Sequence, residues 1–226
     1  MVVWLFAGGG EAEVRGLIPF FEKNFACKFK RMMPARKKPG ARPGHGLTGK
    51  GLARYVKRQL RAALAREKRC DLILILDDLD CRDANDQEKH LLRAVDDVAG
   101  ATDIKRLVGF AAPELEAWLI ADWDGTFAQD VDFRKEHAGM RWWLSHEKKV
   151  PFDAPETFSS YDPDRDTCEE KLSDAIIESA REKGTQRYSK ATHTPRLLVK
   201  IDPKIVSDKC PLFKKLHVYL SDFCSH

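Results

Sequence analysis

Leu72-Ile-Leu-Ile-Leu76 is the strongest strand signal in the chain, and Asp77-Asp78-Leu79-Asp80 follows it directly. All five residues of the run are apolar, without the alternation expected of a strand that has one face in water. A continuous run of this kind is typical of a strand covered on both faces, as in a parallel sheet. The run therefore predicts an α/β protein in which a buried strand ends in aspartates.

The flanking segments repeat the order of strand and then helix. The apolar run Val2–Phe6 ends in Ala7-Gly8-Gly9-Gly10, and apolar residues recur at helical spacing from Glu11 onwards. Further strands are predicted within residues 26–33 and 104–111, with Pro113 as the first residue of the next helix. These repeats predict a three-layer α/β domain over residues 1–125, with a mostly parallel sheet of about four strands.

Residues 126–226 lack this alternation and are predicted to form an irregular and mainly helical C-terminal extension packed on the first domain. The segment 123–166 is rich in aspartate, proline and aromatic residues, which favours packed irregular structure. Helices are expected at residues 168–183 and, as shorter segments, at residues 195–200, 204–207 and 211–223.

Length and composition exclude several classes of protein. The 226 residues contain no apolar run of the roughly 18–20 residues that cross a bilayer. The N-terminal segment has no basic region before its apolar run, which argues against a secretory signal. The six cysteines are scattered without paired spacing, so the sequence predicts reduced thiols in a soluble cytoplasmic protein with no membrane partner.

The positive charge is concentrated in one segment. Residues 28–69 hold fifteen Lys and Arg and one acid, which gives this window +14 and leaves −10 for the rest of a chain of net charge +4. Such segregation favours a surface that faces a polyanion, although a solvated basic helix would produce the same pattern. The residues predicted to bind nucleic acid are Arg36, Lys37, Lys38, Arg42, Lys50, Arg54, Lys57, Arg58 and Arg61.

Acidic residues follow two of the predicted strands. Glu11 comes after the first strand, and Asp78 and Asp80 come after the run at 72–76. Ligands of parallel sheets bind beyond the carboxyl ends of the strands, where these three carboxylates would converge if the strands are neighbours. Carboxylates at close range repel one another unless they share a cation, and Mg²⁺ or Mn²⁺ suits oxygen ligands. The alternative is that these acids only cap or stabilise helix starts.

Two later residues complete the predicted catalytic set. Glu116 lies in the first turn predicted after Pro113, where it would be an auxiliary ligand or base, although spacing does not choose between it and Glu114. Lys190 lies in a second basic cluster and would neutralise charge in the transition state. The predicted metal ligands are Glu11, Asp78 and Asp80, and the predicted catalytic residues are these three with Glu116 and Lys190.

Motifs of other enzyme classes are missing from the sequence. No P-loop pattern and no complete dinucleotide fingerprint follows a predicted strand. The chain also lacks a nucleophile elbow, and its seven histidines lack zinc-site spacing. These absences argue against an intrinsic ATPase, a dinucleotide enzyme, a serine hydrolase and a zinc enzyme.

The order of these motifs resembles the TOPRIM fold of topoisomerases, primases and OLD-family nucleases. Within it, the chain is most similar to a branch of small stand-alone bacterial proteins. The resemblance covers about residues 1–125, and the later segments are similar only to the small branch. The matching residues are Gly8-Gly9-Gly10-Glu11, Gly49-Lys50-Gly51, Asp78-Leu79-Asp80, Glu116-Ala117-Trp118-Leu119 and Tyr188-Ser189-Lys190.

The resemblance implies Mg²⁺ bound by a glutamate after the first strand and by the Asp-x-Asp pair, with phosphodiesters as substrates. The chain departs from the pattern at Ala7, because the family's glutamate directly precedes the first glycine. Glu11 would then take over the role of that glutamate, or the site has lost one ligand.

Three functions follow from these patterns as hypotheses. The first is a Mg²⁺-dependent nuclease or related phosphoryl-transfer enzyme, in phage defence or DNA repair. The second is a non-catalytic nucleic-acid-binding subunit of a larger complex, beside an ATPase partner. The third is an interaction protein whose basic segment docks on an acidic partner.

Overall fold

A parallel four-stranded sheet forms the centre of the molecule. The computed structural model describes residues 1–34, 46–66, 69–183 and 186–225. The sheet has the order β2-β1-β3-β4, and every neighbouring pair is parallel. The predicted α/β class with a parallel sheet is therefore confirmed. The strands are β1 (Val2–Phe6), β2 (Lys28–Arg31), β3 (Leu72–Asp78) and β4 (Lys105–Ala111).

Side chains of the central strands point alternately into two separate cores. Val3 and Leu5 lie in one buried cluster, and Trp4 and Phe6 lie in the other. Helices that follow the four strands in turn are α1 (Glu11–Asn24), α2 (Gly49–Leu64), α3 (Ala84–Asp96) and α4 (Glu116–Ala121). Helices α2 and α3 cover the Trp4 face, and α1 with α4 covers the Val3 face. The result is the predicted three-layer arrangement.

The C-terminal region packs against the face of the sheet that α1 covers. Its helices contribute to the same buried cluster as β1 and α1, so the two halves of the chain share one core. This region contains α5 (His137–His146), α6 (Leu172–Lys183), α7 (Lys190–Leu198), α8 (Pro203–Lys209), α9 (Pro211–Cys224) and the small hairpin of β5 (Tyr161–Asp162) and β6 (Thr167–Cys168).

Two element predictions are wrong in detail. The helix after β4 begins at Glu116 and not at Pro113, because the carbonyls of Ala111 and Pro113 accept the N–H groups of Leu79 and Asp80. The backbone before the helix is thus bonded to the end of β3 instead of to its own next turn. The segment 123–166 is also less irregular than predicted, since it contains α5.

The prediction of reduced cysteines is wrong for four of the six. Cys27 is bonded to Cys224 and Cys81 to Cys168, across sequence separations of 197 and 87 residues. Such distances leave no signature in local spacing, which explains the error. Cys70 and Cys210 are free. No helix of the described residues is both long enough and apolar enough to span a membrane.

Candidate functional site

The carboxyl ends of β1, β3 and β4 border a cavity of about 470 Å³. The cavity brings together Glu11, Asp78 and Asp80, which are distant in sequence, because β1 and β3 are hydrogen-bonded neighbours. Acidic residues dominate its charged lining, and two lysines lie among them. The charged lining residues are Glu11, Glu13, Asp78, Asp80, Glu114, Lys171 and Lys190.

Glu13 is an acidic residue of the cavity that the sequence did not single out. It is the third residue of α1, and its carboxylate folds back to accept the N–H groups of Gly8, at 3.1 Å, and Gly10. Burial raises the pKa of Glu13, against the opposing effect of these two N–H groups and of Lys190. A glutamate at the third position of a helix can bond back to the N-cap N–H as in a capping box, but the Ser or Thr that completes that sequence signal is Gly10 here.

Asp78 is the last residue of β3 and faces the cavity. Its Oδ1 accepts the N–H of Leu115 at 3.1 Å, which connects the ends of β3 and β4. Burial raises the pKa of Asp78 well above its usual value. Repulsion from Glu13 and Glu114 adds to that effect, and Lys190 opposes it. Such a displaced pKa in a cavity marks a candidate functional group.

Asp80 lines the same cavity, but its carboxylate is engaged by neighbouring side chains. Its oxygens lie 3.3 Å from Arg82 and 3.6 Å from Lys171, and one of them accepts the Thr167 hydroxyl at 3.4 Å. The backbone here is unusual, because Asp80 and Cys81 have φ values of 49° and 62°, in the left-handed region. Of the three predicted metal ligands, Asp80 is therefore the one whose carboxylate is bound to side chains of the hairpin region.

Lys190 lies between two glutamates at the start of α7. Its Nζ is 2.7 Å from Oε2 of Glu114 and 2.8 Å from Oε2 of Glu116, and its side chain is 35% exposed. Burial acts to lower the pKa of Lys190, but Glu116, Glu114 and Asp78 together raise it above its usual value. The ammonium group is therefore a fixed positive charge at the cavity.

The two glutamates that hold Lys190 differ in their own surroundings. Burial raises the pKa of Glu116, whose Oε1 also accepts the Thr194 hydroxyl at 2.8 Å. Burial acts in the same direction on Glu114, but Lys190 and the N–H and hydroxyl of Ser173 leave its pKa below the usual value. Glu116 is fully buried and supports Lys190 from behind, whereas Glu114 lines the cavity.

Asp77 connects this edge of the sheet to α2. Its Oδ2 accepts the N–H of Gly49 at 2.9 Å, while the buried Oδ1 has no hydrogen-bond partner in the described residues. Burial raises the pKa of Asp77 to about 7. The residue does not line the cavity, so its observed role is to fix the first turn of α2 beside β3.

The predicted nucleic-acid-binding residues fall into two groups. Arg36, Lys37, Lys38 and Arg42 lie outside the described residues. The other five lie on α2, where Lys50, Arg54, Arg58 and Arg61 are exposed and Lys57 is half-buried. The basic part of α2 begins at the cavity rim, because Thr48, which precedes the helix, lines the cavity.

The side chains at the cavity limit how a divalent ion could be held there. Across residues 1–34, 46–66, 69–183 and 186–225, no three His, Cys, Asp or Glu side chains are grouped as metal ligands. Mg²⁺ commonly takes only one or two protein carboxylates and completes its shell with water and substrate phosphate. Glu13 and Asp78, which repel each other across one cavity, suit that smaller donor set.

Fold and cavity together define a parallel α/β protein with an acidic cavity at the carboxyl edge of its sheet. The chain belongs to the family described as a domain of unknown function, DUF4276, whose model matches residues 8–221. The match spans both the sheet and the C-terminal helices. No curated protein and no solved structure shows significant similarity to the chain.

Proposed function

We propose that the chain is a divalent-metal-dependent phosphodiesterase of nucleic acids, either a nuclease or a related phosphoryl-transfer enzyme. The observation that supports it best is the cavity itself, where Asp78 and Glu13, both with raised pKa values, lie with the fixed charge of Lys190. Groups with such displaced pKa values cluster at functional sites. The basic helix α2 starts at the same cavity and supplies a surface for a polyanion.

Asp78 and Glu13 are the residues that would hold Mg²⁺ or Mn²⁺. A divalent ion held there would neutralise charge on the transferring phosphate and lower the pKa of an attacking water. The carboxylates are positioned before any ligand arrives, since Leu115 N–H fixes Asp78 and the N–H groups of the glycine turn fix Glu13. Positioning of this kind is what electrostatic catalysis requires.

Lys190 would contact a non-bridging oxygen of the phosphate. Its Nζ stays protonated because Glu114 and Glu116 hold it, so it offers positive charge without taking part in proton transfer. Glu116 acts through Lys190 in this proposal, as a positioning residue. This replaces the auxiliary ligand or base that the sequence suggested for it.

The test is cleavage of end-labelled DNA and RNA, single-stranded and duplex, with Mg²⁺ or Mn²⁺ and with EDTA. We expect cleavage by the wild type only with the metal, and a rate at least about 100-fold lower for Asp78→Asn, because the change removes a charged ligand. Asp208→Asn, an exposed change on α8, is the matched control and should cleave like the wild type. Equal rates for Asp78→Asn and the wild type would refute the proposal.

A second candidate is a non-catalytic nucleic-acid-binding subunit. Two observations favour it: Asp80 is held by Arg82 and Lys171, and no three acidic, His or Cys side chains of the described residues are placed to hold a metal ion together. This function predicts binding that persists in EDTA, with no product after long incubation with either metal. Metal-dependent cleavage lost in Asp78→Asn would rule it out.

A further inference from the structure

A groove runs between the outer faces of α2 and α3. The two helices pack side by side over the Trp4 face of the sheet and bury their apolar residues in one cluster. The groove between them has a volume of about 490 Å³ and Ala53 and Ala94 in its lining. The charged and polar lining comes from both helices: Lys50, Arg54 and Lys57 of α2, His90 and Arg93 of α3, and Asp97.

The groove is linked to the acidic cavity by shared lining residues. Lys50, His90 and Arg93 also line a larger open depression of about 1400 Å³ at the first turns of the two helices. That depression shares Thr48 with the acidic cavity. A chain-like ligand that extends from the groove across the depression would therefore reach Thr48 at the rim of the acidic cavity.

The arginines of this groove have few competing partners. Arg54 and Arg93 form no ion pair in the described part of the chain, and both are exposed. Lys57 is paired with Asp97 at 2.6 Å, at the end of the groove far from the cavity. Two exposed arginines that line one groove without an ion-pair partner suit the binding of a phosphate backbone.

The other two arginines of α2 have partners of their own. The guanidinium of Arg58 lies over the ring of Tyr55, and Arg61 donates to the backbone carbonyl of Asp97. Neither lines the groove. The structure thus divides the basic residues of α2, which the sequence could treat only as one stripe, into a groove set and an outer set.

The dimensions of the groove favour one strand over two. Packed helices lie about 8–10 Å apart, so a groove between them admits one sugar-phosphate backbone more readily than a duplex. From Lys50 to Lys57 the helix rises about 10 Å, so the groove contacts only a short stretch of the strand.

We propose that this groove binds a single strand of nucleic acid, with its phosphates on Lys50, Arg54 and Arg93, and delivers the strand to the acidic cavity. The inference rests on the proposed function, because it names the form of substrate that the cavity would receive. It adds Arg93 of α3 to the binding residues and assigns Arg58 and Arg61 no part in the groove.

The experiment is fluorescence anisotropy with a labelled single strand of about 20 nucleotides and with its duplex, in EDTA so that no cleavage occurs. The variant is Arg54→Gln/Arg93→Gln. The matched control is Arg134→Gln/Arg181→Gln, which removes two exposed charges elsewhere. We expect the groove variant to bind the single strand about tenfold more weakly and to lower the salt slope by about 1.4, with no change in the control.

Three results would overturn the groove proposal. The first is equal affinity of the wild type and the groove variant for the single strand, and the second is tighter binding of the duplex than of the single strand. The third is that the wild type binds neither nucleic acid, which would favour an acidic protein partner. The assay contains no metal, so a failure of catalysis leaves it unaffected. If the groove variant cleaves nucleic acid and binds the single strand as the wild type does, the groove proposal is refuted and the proposed phosphodiesterase activity of the cavity is not.

Discussion

Asp130 shows how one buried carboxylate holds the element that carries Lys190. It is 1% exposed, and it pairs with Arg196 in α7 and, at 3.2 Å, with Lys200 just beyond that helix. Burial acts to raise the pKa of Asp130, but the Asp132 N–H and the two basic side chains lower it below its usual value. The ionised form of Asp130 therefore stabilises the folded state.

This pairing predicts a pH-dependent effect of Asp130→Asn. A folded-state pKa below the unfolded value gives stability that is present above the unfolded pKa and is lost as the pH falls through the folded pKa. We expect the variant to lose about 2 kcal/mol of unfolding free energy at pH 7, and less below about pH 4. Urea unfolding from pH 3 to 7 measures this, and a loss that is the same at every pH would contradict it.

Glu13 shows what the sequence could and could not reveal at the scale of a residue. The predicted convergence of acids at the ends of β1 and β3 agrees with the structure, because it follows from strand order alone. The position of each acid in the cavity depends on the path of the glycine turn. That path lets the Glu13 carboxylate accept the N–H groups of Gly8 and Gly10. Spacing alone does not determine such a path.

At the scale of the element, the packing of α1 on α7 sets the position of Lys190. Gly16 of α1 faces α7 so closely that a Cβ there would lie 2.7 Å from Cδ1 of Leu198 and 2.9 Å from Cα of Pro195. The second of these atoms belongs to the backbone and cannot rotate away. Glycine at this position therefore permits the close approach of the two helices.

We therefore predict that Gly16→Ala destabilises the protein. Alanine improves helix propensity by about 1 kcal/mol, but overpacking costs about 1–3 kcal/mol, so a net loss of about 1 kcal/mol is expected. The matched control is Gly51→Ala in α2, where the nearest atom, on Leu47, is 3.6 Å away and a gain of up to about 0.5 kcal/mol is expected. Thermal and urea unfolding of both variants provide the measurement. A Gly16→Ala protein more stable than the wild type would contradict the packing argument.

The elements themselves were largely predictable. Continuous apolar runs predicted β1 and β3, whose bounds start at the expected residues. The prediction failed at Pro113, because its carbonyl accepts the N–H of Asp80, just after β3. It also failed at α5, which lies in a segment of turn-forming composition. Local sequence patterns identify helices and strands, but they do not reveal which backbone groups form hydrogen bonds with distant parts of the chain.

At the scale of the whole molecule, two disulfides connect the sheet to the C-terminal region. Cys27, just before β2, is bonded to Cys224 at the end of α9, and Cys81, after β3, is bonded to Cys168 of the hairpin. These bridges join parts of the chain that also share the core. The C-terminal region is thereby part of the same structural unit as the sheet.

This connection predicts the number of reactive thiols. Denatured protein that has not been reduced should titrate two thiols, those of Cys70 and Cys210, and reduced protein should titrate six. Replacement of Cys27 and Cys224 by serine should lower the unfolding free energy by about 3–5 kcal/mol, since the bridge closes a long loop. Cys70→Ser serves as the control. Six thiols before reduction would contradict the pairing.

The central claim is that the acidic cavity holds a divalent ion for phosphodiester chemistry. Calorimetric titration of Mn²⁺ into the wild type, Asp78→Asn and the control Asp208→Asn tests this most directly. The account predicts one binding site per chain in the wild type and in the control, and no measurable binding in Asp78→Asn. Binding of equal strength in Asp78→Asn, or none in the wild type, would contradict it.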